Sequence, residues 1–167
     1  MAKTNVDENV VVVPENMDRE QEVDILTKLL EAADYVNSVT TAKIVRNGEH
    51  AFDIHLHPIS EKDILVARKK ATSYGPNPNG KNLPPIEKDF DPALYRSWRI
   101  FLATTEEDKK KIWGQKAVKD KYNLMTSAES VDILLTAGEK DYIYDLIDEI
   151  SGFGGGNIST EEYSKNL

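Results

Sequence analysis

The stretch from Ser130 to Phe153 constrains this chain most, because apolar residues recur at helical spacing on both sides of one glycine. Val131, Leu134 and Leu135 share a face of a short first helix. Tyr142, Ile143, Leu146, Ile147 and Ile150 form a stripe along a second. Two stripes this close in sequence must be covered together, so Leu134, Leu135, Ile143 and Ile147 are expected to form one buried seam. Gly138 stands where the first helix must stop, and a left-handed turn costs glycine nothing. Glu139 then opens the second helix, where a carboxylate favours the positive end of the dipole.

Upstream, the pattern alternates between helix and hairpin. Val23, Leu26, Leu29, Leu30 and Ala33 recur at helical spacing between Asp18 and Tyr35. Residues 39–46 and 50–57 alternate around Asn47-Gly48, the strongest short hairpin signal, since both central residues of a type I′ turn need positive φ. Ser60 with Asp63 opens a helix to about Tyr74. Gly75 to Asp91 carries Pro76, Pro78, Pro84 and Pro85 and is expected to be a long irregular loop. Asp91-Pro92 starts a helix whose buried face is Leu94, Trp98, Phe101 and Leu102. Thr104 with Glu107 begins another, broken at Gly114 after Trp113. The expected fold class is α+β, a predominantly helical single domain over residues 18–153 with one small antiparallel β-hairpin at 39–57. A flexible acidic segment, 1–17, precedes it, and a flexible Gly-rich tail, 154–167, follows it.

Length and charge narrow the function classes. At 167 residues, one compact domain with tails is the prior. No run approaches the ~20 apolar residues of a membrane span, and the first residues lack a signal-peptide core. Cysteine is absent, which fits a reducing cytosol, and a cytoplasmic location is expected. The net charge of −8 is unevenly spread. Residues 1–36 hold nine acids against three bases, 60–122 nine against fourteen, and 123–167 nine against two. A basic middle between acidic ends favours self-association or a partner of mixed charge. The overall acidity argues against nucleic acid. Lys109-Lys110-Lys111 follows Glu106, Glu107 and Asp108 directly, an arrangement that supports a helix.

Catalytic motifs are missing or incomplete. Gly75 to Asn82 nearly spells a phosphate-binding loop, but Asn82 replaces the magnesium-binding hydroxyl and prolines follow where a helix must begin. Asp53, His55 and His57 share one strand face, a set that suits zinc, iron or nickel, although alternate positions of a half-buried strand must be polar in any case. There is no cysteine and no nucleophile elbow, so no enzyme, cofactor or metal is expected. Interaction candidates are aromatic or adjoin an aromatic: Ile112 and Trp113 at a helix end, and Tyr144 off the apolar stripe. Trp98 and Tyr142 lie on the stripes and are expected in the core.

The order of an apolar pair, Gly138-Glu139, an apolar stripe and Ile150-Ser151-Gly152-Phe153 resembles the C-terminal signature of the XkdN-like tail assembly chaperones. These come from contractile-tailed phages, defective prophages and phage-tail-like bacteriocins. Phe52 to Ser60 followed by Ala67-Arg68-Lys69-Lys70, and Trp98 to Thr104, are similar to the family's upstream elements, so the resemblance covers about Ala51 to Phe153. Leu134, Leu135, Gly138, Glu139, Ile143, Ile147 and Phe153 carry its signature. The resemblance implies a protein that coats the tape measure protein, keeps its hydrophobic helices from aggregating and is displaced as tail tube protein polymerises. It implies no metal. Competing classes are a structural or adaptor component of a phage-type tail, and a small metal-binding enzyme built on Asp53, His55 and His57.

Overall fold

In the computed structural model, the described residues are 19–155 and 158. The expected segment 1–17 lies outside them, as does the tail beyond Gly155 apart from Ile158. By compactness the chain divides into residues 1–35 and 36–167. The described part of the first unit is helix α1, Arg19–Val36, which ends one residue inside the second.

The second unit begins with the hairpin of β1, Thr40–Arg46, and β2, Glu49–Leu56. Asn47 and Gly48 both take positive φ, 54° and 79°, as a tight hairpin turn between right-twisted strands requires. Alternation sends Ala42, Ile44, Ile54 and Leu56 inward. Helix α2, Glu61–Ala71, is capped by Ser60, whose Oγ accepts from Asp63 N at 3.1 Å. It stops three residues before the expected end because Thr72 turns extended and opens β3, Thr72–Gly75. β3 pairs antiparallel with β4, Ile86–Phe90, from Thr72 opposite Phe90 to Gly75 opposite Ile86. The expected loop 75–91 is therefore irregular only in its middle. Its prolines are confined to 76–85, and the proline-free segment after them can supply ladder donors.

Helix α3, Pro92–Ala103, starts at Asp91, whose carboxylate accepts from Ala93 N and Leu94 N at 2.9 and 3.0 Å. Its buried line is Ser97, Ile100 and Ala103, with Arg99 beside it, while Leu94, Trp98, Phe101 and Leu102 are only half-buried. The helix is rotated from its expected setting because α2 and the two helices over Ser130–Leu134 and Ala137–Ile150 all pack on it. A three-residue turn, α4 (Glu106–Asp108), runs into a π-helical turn, Lys109–Trp113, then α5, Lys116–Tyr122, follows. Helices α6, Ser130–Leu134, and α7, Ala137–Ile150, complete the fold. The observed class is α+β, predominantly helical, with two small antiparallel sheets among the described residues.

One hydrophobic core joins both strands of the hairpin to α3, Trp113, α6 and α7. Val131, Leu135, Ile143 and Ile147 are buried in it and Leu134 packs against it, so the expected seam exists. Tyr142, expected in the core, is 70% exposed. Gly138 has a different role from the one expected. The chain between the helices is held by Thr136, whose hydroxyl accepts from Glu139 N while the Glu139 carboxylate accepts from Thr136 N. Gly138 therefore lies within the first turn of α7, with open space where a Cβ would stand. The left-handed glycine of the signature is Gly152, at φ 78°. Gly152 N donates to Glu149 O and Phe153 N to Asp148 O, the paired bonds that close a helix in a Schellman motif.

Glu139 also reaches across to β1. Its carboxylate accepts from Arg46 Nε at 3.1 Å and Nη2 at 2.9 Å, and Arg46 additionally donates to Leu134 O. The guanidinium holds the Glu139 carboxyl at about 2, below the usual carboxylate range.

Two predictions follow from these ends of α7. Gly138→Ala should leave stability unchanged or raise it by up to ~1 kcal/mol through helix propensity, whereas Gly152→Ala should cost ~1–2 kcal/mol for a forced left-handed residue. Urea denaturation reads both, and an equal loss at the two sites would contradict the capping assigned here. Because the Glu139 carboxyl titrates lower in the fold than in the unfolded chain, its contribution is complete above about pH 4.3 and fades as pH falls toward the folded value. Between pH 6 and 2, Glu139→Gln should thus show a shallower decline in melting temperature than the parent protein, the two curves converging at the acid end.

Candidate partner-binding cleft

The polar face of β2 does not simply meet solvent. Its neighbour is the segment after α3: His57 N donates to Ala103 O, Thr105 N donates to His55 O, both at 2.9 Å, and Leu56 bridges to Thr104. This brings Asp108 beneath β2. The carboxylate is buried and its Oδ2 accepts from His55 N at 2.7 Å and from His55 Nδ1 at 2.8 Å. One acid therefore satisfies a strand-edge amide and fixes an imidazole, leaving Nε2 as the nitrogen free to meet an outside partner. At the other end of the strand, His50 Nε2 lies 2.8 Å from Asp53 Oδ1, and this hydrogen bond lowers the Asp53 pKa.

Between β2 and the π-helical turn lies a cavity of ≈ 510 Å³, within the range of ligand-sized clefts. Phe52, Ile112, Val118 and Leu134 give it apolar walls, and His50, Asp53, His55, Asp108, Lys111 and Gln115 give it polar ones. The π turn matters to its shape. Widening the helix by one residue turns Trp113 fully inward and leaves Ile112 at the cleft, a local deviation that recurs at functional sites. Six lysines stand against Asp120 between residues 109 and 121 of the sequence, and of these Lys111 lines the cavity.

The three expected anchors are not brought together. Ile112 lines the cleft. Trp113 is buried, its Nε1 donating to Thr104 Oγ1 at 3.0 Å, so it is a core residue. Tyr144, expected at the surface, is half-buried with its ring 4.5 Å from the guanidinium carbon of Arg99. Of the signature, Leu134 reaches the cleft, Glu139 pairs with Arg46, and Phe153 lies half-exposed 5.5 Å from Arg99. The Asp53, His55 and His57 set is divided among separate partners, His57 Nδ1 facing Pro58 O at 2.9 Å. Among the described residues no three His, Cys, Asp or Glu side chains converge as a metal site. The residue that sequence spacing missed is Asp108. Its acidic neighbours read as helix-start charge, and only the return of the chain to β2 reveals its partner.

Against this geometry, comparison with known proteins is direct. Residues 26–165 match the family described as Phage XkdN-like tail assembly chaperone protein. The chain belongs to that family, and the match extends past the segment on which the resemblance was read, upstream into α1 and downstream beyond Phe153. No curated protein and no solved structure matches it. No helix among the described residues is long and apolar enough to cross a membrane.

Replacing Asp108 tests the construction of the cleft. Asp108→Ala strips the acceptor from a strand amide and should lower stability by about 1–3 kcal/mol. Asp108→Asn keeps an oxygen for His55 N and should lose less. Chemical denaturation of both variants measures the difference, and equal stability of Asp108→Ala and the parent would remove Asp108 as the support of the cleft.

Proposed function

We propose that this chain binds the tape measure protein of its own tail system in the cytoplasm and keeps it soluble until tail tube protein polymerises around it. Family membership supplies the class of activity, tail assembly chaperone. The observation that carries the finer reading is the cleft, apolar at Phe52, Ile112, Val118 and Leu134 and polar around them. Such a surface suits an amphipathic segment that lays apolar side chains inward and polar ones at the rim. The role asks for no chemistry. It asks for cover over apolar helical stripes that aggregate when exposed. Individual contacts can be weak, because a long repetitive partner is held at many points.

Co-expression with the tape measure protein from the same gene cluster tests this. The tape measure should be soluble and co-purify with many copies of the chain, and Ile112→Glu should weaken retention at least ~10-fold, about 1.4 kcal/mol. If the tape measure is equally soluble alone and no complex survives gel filtration at micromolar concentration, the reading fails. Recovery of the chain in finished tails would instead mark a structural component.

A further inference from the structure

The cleft belongs wholly to the second unit and leaves α1 unexplained. At 1.5 Å per residue, Arg19–Val36 is a rod of about 27 Å. Val23, Leu26, Leu29 and Leu30 line one side of it and are 57–63% exposed. Every residue from Gln21 to Val36 is exposed. An isolated helix of this length is marginal in water, and helices of proteins owe most of their stability to packing of the apolar face. From Leu26 onward the stripe lies inside the family match.

Its charges indicate what covers it. Between Gln21 and Val36 the ionisable side chains, tyrosine apart, are Glu22, Asp24, Glu31 and Asp34 against Lys28. Lys28 Nζ is 2.7 Å from Asp24 Oδ2 on its own helix. Asp24, Lys28 and Glu31 lie on the opposite face of the helix; of the acids, Glu22 stands at one end of the stripe and Asp34 flanks the other. A second copy docked stripe to stripe would set these acids against their own counterparts, since such an interface repeats one patch on both sides. A helix with lysine or arginine beside its apolar stripe meets them with opposite charge.

We propose that α1 is a docking surface for a basic amphipathic helix of the protein this chain chaperones. Identifying the occupant with the tape measure rests on the function proposed above; the chemistry of the surface does not.

The test uses the full chain and two synthetic helical peptides, one of leucine and lysine and one of leucine and glutamate, followed by fluorescence anisotropy. The basic peptide should bind and the acidic one should not, and raising salt from 0.05 to about 0.5 M should weaken binding as screening shortens the reach of the charges. Leu26→Ser with Leu30→Ser should weaken the basic peptide at least ten-fold, as should Glu22→Lys with Asp34→Lys, while circular dichroism confirms that each variant keeps its helix content. Should either pair lose helix content, the single variant Leu26→Ser is measured in its place. Equal binding of both peptides, or binding that neither variant pair alters, overturns the proposal. So does a parent dimer on light scattering that Leu26→Ser with Leu30→Ser dissolves. Co-purification of the tape measure separates the two readings. Retention by the parent and by the variants alike defeats the docking surface alone, and failure of the parent to retain it, with peptide binding that follows the stripe, defeats the tape measure reading alone.

Discussion

The fold depends on how the outer edge of β2 is closed. A two-stranded hairpin is not stable by itself and presents a row of unpaired amides and carbonyls. Here His57 and His55 bond to the backbone of Ala103 and Thr105, and the remaining amide of His55 is taken by the Asp108 carboxylate. Thr104, at the centre of this seam, is buried; its hydroxyl donates to Ile100 O and accepts from Trp113 Nε1. Trp113 O accepts in turn from Ser130 Oγ. One connected set of bonds therefore fixes the hairpin, the end of α3, the π turn and the start of α6. The apolar core fills around it.

On the opposite side of α3 the organising group is Arg99. Its guanidinium is buried, bonded to Asp148 at 2.6 Å and lies within 6 Å of the rings of Tyr95, Tyr144 and Phe153. Burial, the largest single effect, would lower its pKa, but the Asp148 bond and the neighbouring Tyr144 and Asp148 together outweigh it and raise the pKa. Nε has no hydrogen-bond partner; the aromatic faces compensate for part of its lost hydration. This explains why the chain closes α7 with Ser151-Gly152-Phe153. The Schellman turn at Gly152 returns Phe153 toward α3, and Ser151 Oγ accepts from Ile59 N at 2.9 Å. The signature's last four residues are a structural clasp.

The two proposed surfaces differ in character. The cleft is preformed, since its floor residues adjoin the bonded set around Asp108 and Trp113. Helix α1 is an exposed amphipathic rod with acids at both ends of its apolar stripe. A chaperone for a long helical client benefits from both. A rigid cleft grips local side chains, and a helix face can follow any register of an apolar stripe.

Local patterns in the sequence determined the elements. Asn47-Gly48 dictates its turn because few other pairs accept two positive φ angles. The strand alternation of Ile54 and Leu56, the Ser60 and Asp91 caps, and the seam of Leu135, Ile143 and Ile147 were legible for the same reason: each is set by neighbours within about one turn or one strand repeat. The family, too, could be read from the order of these elements. The Thr136–Glu139 capping box, which sets Gly138 inside α7 and leaves the left-handed turn to Gly152, is local in the same way. Tertiary structure alone decided other features. It decided the rotation of α3, the burial of Trp113 through one π turn, and β4 within a segment read as loop. It also made the site, for Asp108 and His55 are 53 residues apart and meet only because α3 returns the chain to β2. Short-range spacing carries conformation, but a cleft is built from long-range returns of the chain, which no local pattern encodes.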